Sequence, residues 1–200
     1  MYPAYTWRVP VTDSSVFLTF DDGPHPQITP WVLRQLALYG AKATFFCIGR
    51  NVETHPEIYK QIIAEGHTVG NHTYTHLNGW RTPINEYLED VKKGSELTDS
   101  LLFRPPYGRI KKRQAKEILQ ASAGIGCTKI VMWDVLSADF DNSISPEACA
   151  EIVLKRVEPG SVIVFHDSEK AFKNLEYALP VVLDKLSKGG YLFKRLEDRP

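Results

Sequence analysis

Short apolar runs, rich in β-branched and aromatic residues, alternate along this chain with segments of helical spacing. That alternation narrows the fold more than any other feature, because strands separated by helices build parallel βαβ units. Val16-Phe17-Leu18 opens a buried strand that ends in Thr19-Phe20-Asp21-Asp22-Gly23-Pro24. Asp-Gly-Pro must stop it, since Pro cannot donate to a ladder and Gly supplies unusual dihedrals. Ala43 to Ile48, His67 to Gly70, Phe103-Arg104, Thr128 to Val135, Ser161 to Phe165 and Gly190 to Phe193 complete seven predicted strands. Predicted helices cover Ile28 to Tyr39, Glu57 to Glu65 behind Pro56, Pro83 to Leu102, Lys111 to Ala121, Pro146 to Val157 and Leu175 to Leu186. Ser161 to Phe165 is nearly all apolar, as in a parallel sheet covered on both faces. Such units either close into a barrel or stay open as a doubly wound sheet, and periodicity leaves both open.

The chain reads as one α/β domain over 1–200, with 1–14 as an N-terminal arm in which Tyr2, Tyr5 and Trp7 pack on the body. Lys+Arg and Asp+Glu are both 24, which excludes the basic footprint of a nucleic-acid binder. No apolar stretch reaches membrane-spanning length. The first residues lack a basic segment followed by an apolar one, so the chain as given is expected in the cytoplasm, with action in the periplasm or envelope if a signal has been trimmed. A monomer is the default. Cys47, Cys127 and Cys149 are odd in number and widely spaced, and are expected as buried free thiols. Neither a Gly-x-Gly-x-x-Gly after the first strand nor a P-loop occurs.

Five predicted strands end in residues that can do chemistry. Asp21-Asp22 closes the first. His72 and His76, in Asn71-His72-Thr73-Tyr74-Thr75-His76, follow the third; four apart, they can face one way from a helical turn and chelate a metal. Two imidazoles and one carboxylate leave positions open for water and substrate, which suits one divalent metal, Zn²⁺ first, with Co²⁺ or Ni²⁺ accepted. Phe103-Arg104-Pro105-Pro106-Tyr107-Gly108 is a loop stiff enough to hold a guanidinium or a backbone N–H in place. Trp133 to Phe140 carries Asp134 and Asp139, and Val164-Phe165-His166-Asp167 ends an apolar strand in His.

In that order these motifs resemble the polysaccharide deacetylases with the NodB-homology domain, carbohydrate esterase family four, over Thr19 to Asp167. The resemblance implies a distorted (β/α)7 TIM-like barrel and a metal-dependent hydrolase that removes N-acetyl groups from N-acetylglucosamine-containing glycans, of peptidoglycan or chitin type. It implies Asp22, His72 and His76 as metal ligands, Asp21 as general base and Arg104 as its partner. The Tyr107 backbone N–H is implied at the oxyanion, His166 as general acid and Asp139 as the group orienting His166. Substrate would meet Tyr107, Phe140, Val164 and a stacking Trp80. Where the family pattern has Asp-Trp, this chain has Asp139-Phe140, and Val164 stands where Leu is common. Both changes touch the acetyl pocket rather than the chemistry. Short loops imply an open groove for a polymer or oligosaccharide end. The alternatives are a deacetylase of a small non-glycan amide, a weakly catalytic glycan-binding relative, and a non-haem iron oxygenase, which also uses two His and a carboxylate but leaves Arg104 and His166–Asp139 unexplained.

Overall fold

The computed structural model describes residues 5–120 and 125–197. The strands β1 (Tyr5–Thr6), β2 (Ser15–Asp21), β3 (Ala43–Cys47), β4 (Thr68–Asn71), β5 (Leu102–Phe103), β6 (Lys129–Val131), β7 (Val135–Leu136), β8 (Val162–His166) and β9 (Leu192–Phe193) form one sheet. Its order is β1-β6-β5-β4-β3-β2-β8-β7, with β9 added to β2. Helices α1 (Ile28–Ala37), α2 (Gly49–Thr54), α3 (Pro56–Ala64), α4 (Ile84–Thr98), α5 (Lys112–Leu119), α6 (Pro146–Arg156) and α7 (Glu169–Lys188) follow in chain order. This is the distorted barrel expected, left open between the end strands β1 and β7, which share no ladder among the described residues.

Side-chain parity along β2 builds both sides of the barrel wall. Val16, Leu18 and Phe20 pack outward in one core with Val32, Leu33 and Leu36 of α1 and Leu179, Val182 and Leu183 of α7. Phe17 faces the other way, into a smaller core with Phe46, Leu102, Val131 and Val162. Each fully buried Phe contributes about 2–3 kcal/mol through removed apolar surface. Continuing the alternation, Thr19 and Asp21 share the Phe17 side, so the interior turns from apolar to polar toward the C-terminal rim.

Several predicted elements are corrected. The strand expected over Thr128 to Val135 is two strands, because Asp134 takes over the hydrogen bonds where a ladder would continue. Its carboxylate accepts from the Val162 N–H (2.7 Å) and the Ser161 hydroxyl (2.9 Å), and Arg8 Nε lies 3.2 Å from it. β1 and α2 were not expected; Tyr5-Thr6 pairs in parallel with Ile130-Val131 and is too short to show a pattern. The helix expected to Leu102 ends at Thr98, where Asp99 turns left-handed at φ 43°. α7 starts at Glu169 rather than Leu175. The predicted end of α5 at Ala121, and Tyr2, lie outside the described residues. Tyr5 and Trp7 pack against the cluster of Phe103, Ile130 and Met132, and the three cysteines are buried and free. Among the described residues no helix is long and apolar enough to cross a membrane.

Register then assembles the rim. Asp21 lies opposite both Phe46 and His166, Cys47 opposite Asn71, and Asn71 opposite Phe103. The residues that follow β2, β4, β5 and β8 therefore leave the sheet at one level and meet over the same end of the barrel.

Candidate metal and catalytic site

Asp21 is the last interior residue of β2, and Arg104 closes the interior beneath the rim. The Arg104 side chain is fully buried. Its Nη1 donates to Asp21 Oδ1 and to Thr19 Oγ1, both at 2.7 Å, while Nε and Nη2 donate to the carbonyls of Val131 (3.2 Å) and Met132 (3.0 Å). The guanidinium also lies 4.0 Å over the Phe46 ring. Four hydrogen bonds and a ring face leave it no freedom, so one oxygen of Asp21 is held and the other, Oδ2, faces the pocket, 3.9 Å from His72 Nε2.

Asp22 points elsewhere because its backbone does. It sits at φ 82°, a conformation that Asp tolerates better than most side chains. Asp167 is the clamp that holds this turn. Fully buried, it accepts the Gly23 N–H at 3.0 Å and the Thr29 hydroxyl, and Asn51 Nδ2 donates to the Asp22 carbonyl at 2.7 Å. Burial, and then the neighbouring Asp22 charge, push the Asp167 carboxyl up to about 7.

His72 and His76 converge, but not from a helical turn. Residues 72–76 are a loop with Thr73 at φ 64° and His76 at φ 63°. Asn71 Oδ1 accepts the Thr73 N–H and Thr73 Oγ1 accepts the His76 N–H, each at 2.8 Å; local side-chain bonds replace the helical ones. His72 Nδ1 lies 2.8 Å from the Arg104 carbonyl, which can only accept. That bond fixes the tautomer and leaves the Nε2 lone pair facing Asp22, the orientation found around metal-binding imidazoles. Burial lowers His72 to about 4, so it is neutral at neutral pH, as a ligand must be. Asp22 Oδ1 lies 3.2 Å from His76 Nε2 and 3.8 Å from His72 Nε2, and the ligand atoms of all three residues fall within 4.8 Å of one another. Asp22 Oδ1 is buried without a counted hydrogen-bond partner among the described residues and lies between two imidazole Nε2 atoms. Burial raises the Asp22 carboxyl, but the His76 contact and the His166 and His72 charges outweigh it and hold the group well below the usual carboxylate range. Three convergent donors, one with its tautomer fixed, fit a divalent cation.

Across the pocket stands His166. Asp139, fully buried, accepts both the His166 backbone N–H at Oδ2 and the ring Nδ1–H at Oδ1, each at 2.7 Å. Nε2 is thereby turned toward the cavity. Burial alone would lower the imidazole, but the Asp139 carboxylate, through its charge and its hydrogen bond, outweighs that and lifts it to about 9. Asn174 Nδ2 donates to the Asp139 carbonyl at 3.0 Å and steadies the loop.

The cavity among these groups is about 410 Å³ and is lined by Asp21, Asp22, His72, His76, Tyr107 and His166 together with an apolar wall. Phe140 and Val164 belong to that wall, as expected, and so do Trp133 and Leu136, which the sequence reading did not single out. An indole is therefore present after all, supplied by Trp133 rather than by position 140. Tyr107 sits at φ 60° with its ring edge-on to His76 at 4.6 Å, and no described group uses its backbone N–H. Trp80 does not line the cavity. It is 60% exposed, its Nε1 donates to the Ile110 carbonyl at 3.2 Å, and the Arg109 guanidinium lies over its ring. Thr19 and Asn71 were missed as supports although both stand inside the motifs quoted; their partners lie 85 and 20 residues away, at Arg104 and Val91.

Comparison with known proteins agrees with this arrangement. A family profile described as polysaccharide deacetylase matches residues 8–126. A peptidoglycan-N-acetylglucosamine deacetylase of Bacillus cereus is 35% identical over 193 residues, 94% of this chain and 89% of the relative. A chitooligosaccharide deacetylase of Azorhizobium caulinodans is 34% identical over 167 residues, 80% of this chain and 77% of the relative. A solved peptidoglycan N-acetylglucosamine deacetylase in complex with 4-naphthalen-1-yl-N-oxidanyl-benzamide matches with a TM-score of 0.85 at 34% identity, over 96% of this chain and 91% of that one. A CE4 family pseudoenzyme from Bacillus anthracis matches at 0.82 and 25%, over 98% and 68%.

Proposed function

Because the chain belongs to the polysaccharide deacetylase family, we propose that it is a metal-dependent hydrolase that removes N-acetyl groups from glycans built on N-acetylglucosamine. The relatives' substrates, peptidoglycan and chitin oligosaccharides, support that class. Similarity alone does not carry activity, since a pseudoenzyme shares the fold. The carrying observation is that Asp21 and His166 face one cavity beside Asp22, His72 and His76, Asp21 fixed by Arg104 and His166 by Asp139.

Asp22, His72 and His76 would hold the metal, with Zn²⁺ suiting two imidazoles and a carboxylate and Co²⁺ or Ni²⁺ acceptable to the same set. When bound, the ion would polarise the acetamide carbonyl and lower the pKa of a water. Asp21 Oδ2 is placed to take the proton of the attacking water, because Oδ1 is tied to Arg104 and only Oδ2 is turned to the cavity. As the water oxygen joins the carbonyl carbon, the unused Tyr107 N–H can hold the developing oxyanion, a donor worth roughly 3 kcal/mol in such reactions. His166 Nε2 then gives its proton to the nitrogen as the C–N bond breaks, and the products are acetate and a free amine. Phe140, Val164, Leu136 and Trp133 supply the apolar wall against which the acetyl methyl would rest.

The test is acetate release from N-acetylglucosamine oligomers by metal-loaded protein, with a chelator control. Turnover that stops on chelation and returns on adding Zn²⁺ is expected. Undiminished turnover in the metal-stripped protein would overturn the reading.

A further inference from the structure

Two cationic side chains line the cavity without any role in the chemistry above, Arg109 after β5 and Lys170 in the first turn of α7 after β8. β5 and β8 are separated in the sheet by β4, β3 and β2, so the two charges stand on different walls of the opening. Each rests on an aromatic ring. The Arg109 guanidinium is 5.3 Å from the centre of Trp80, and the Lys170 ammonium is 5.4 Å from the centre of Phe140. Neither forms an ion pair among the described residues. Asp141 feels the Lys170 charge, but its carboxylate is taken up by the Ser143 N–H and hydroxyl. Among the described residues the only carboxylates lining the cavity are Asp21 and Asp22, one held by Arg104 and the other aimed at the two imidazoles. Lys+Arg and Asp+Glu balance at 24 each over the chain, so a positive rim is a local arrangement rather than the field of a basic protein.

Unpaired cations held on ring faces at the mouth of a glycan site have one evident use, to meet anions on the glycan. We propose that Arg109 and Lys170 are specificity residues that favour an N-acetylated glycan carrying carboxylates on the sugars flanking the one that is processed. Trp80 is a positioning residue that holds Arg109 over the rim. The proposal rests on the glycan-deacetylase reading and adds charge selection to it.

Three tetramers of one length test it: neutral N-acetylglucosamine oligomer, an oligomer in which alternate sugars bear a lactyl ether carboxylate, and that same oligomer with each carboxylate converted to a carboxamide. Metal-loaded protein is used, and both equilibrium binding and acetate release are measured. At about 20 mM salt the acid form should bind roughly fivefold to tenfold tighter than its amide, the sum expected of two exposed ion pairs. Near 0.5 M salt the preference should shrink below about twofold. Arg109→Gln and Lys170→Gln should each cut the acid-to-amide ratio about threefold, and the double variant should abolish it. Trp80→Leu should cut the ratio as Arg109→Gln does; if Trp80 were instead a stacking platform for sugar, acid and amide would lose equally and its positioning role would fall. Equal binding of acid and amide at low salt, or a preference that survives in the double variant, would overturn charge selection. Acetate release without preference would do so while leaving the deacetylase reading intact. A preference in binding with no acetate released from any tetramer would sink the deacetylase reading and leave the charge selection standing.

Discussion

Replacing Asp139 by Asn changes one atom and should change the pH at which the protein works. Asp139 uses both oxygens on His166, one on the backbone N–H and one on Nδ1–H. Asn has a single oxygen, so its NH₂ must face one of those donors. If the oxygen stays on the backbone, the imidazolium form would set N–H against N–H, and only the neutral ring fits. The carboxylate charge that lifts His166 from 6.5 to about 9 is lost, while the burial that opposes it remains, so the value should fall to 6.5 or below. A shift of that size corresponds to about 3 kcal/mol. At pH 8 the protonated fraction would drop from about 90% to about 3%, a loss of roughly 30-fold in kcat/KM from protonation alone. Near pH 5.5 both proteins would be mostly protonated and that part of the deficit should vanish. A bound dication lowers both values, so variant and parent are compared with the same metal. The sign also runs through stability. A raised folded-state value contributes in full below pH 6.5 and is lost as pH rises through about 9, so the metal-free parent should lose about 3 kcal/mol over that window and the variant should not. The assays are an NMR titration of the His166 ring, kcat/KM against pH, and denaturant melts at both ends of the window. A His166 pKa within about half a unit of the parent's, or a kcat/KM deficit equal at pH 5.5 and pH 8, would refute the reasoning.

Asp21→Asn should lower turnover by about 10² to 10⁴, the usual worth of a positioned base, with metal content unchanged by elemental analysis; loss of the metal instead would mean that Asp21 is a ligand. Zn²⁺ at a hundred times its Kd should stabilise the chain by about 2.7 kcal/mol, a rise in Tm of about 5–10 °C, and Asp22→Asn should abolish most of it. Gly94 lies on α4, yet a methyl there would come within 2.4 Å of Asn71 Oδ1 and 2.9 Å of the Thr73 carbonyl carbon, at the loop that aims His72 and His76. Gly94→Ala should therefore cost about 1–3 kcal/mol by denaturant melt and weaken metal affinity about tenfold by calorimetric titration, though it touches no ligand.

The alternation of strand and helix, the breakers that end each strand and the acids and imidazoles placed just past those breakers are legible in the residues alone. So α/β class, the rim as the place of chemistry and the metal-type donor set follow from local physics: Pro and Gly stop ladders, and apolar runs bury. The reason given for the His72–His76 pair did not survive, because spacing of four means one face only in a helix, and these residues form a loop at positive φ held by Asn71 and Thr73. Arg109 and Lys170 carried no local signal either, since what sets them apart is the absence of partners, a property of three dimensions.

The Asp21-Asp22 pair shows where the division lies. Chain order alone places two carboxylates side by side at a strand end. β2 is buried over its whole length, so no water-facing side marks which parity looks into the barrel. Only the folded barrel decides it: Phe17, Thr19 and Asp21 share the interior, where Arg104, 83 residues further along the chain, reaches Asp21. Asp22 leaves the strand at φ 82°, clamped by Asp167 just past the neighbouring strand β8, and turns to the two imidazoles instead. Two chemically identical neighbours thus acquire unlike surroundings because residues distant in sequence, brought together by parallel register, set the charge and hydrogen bonds around each.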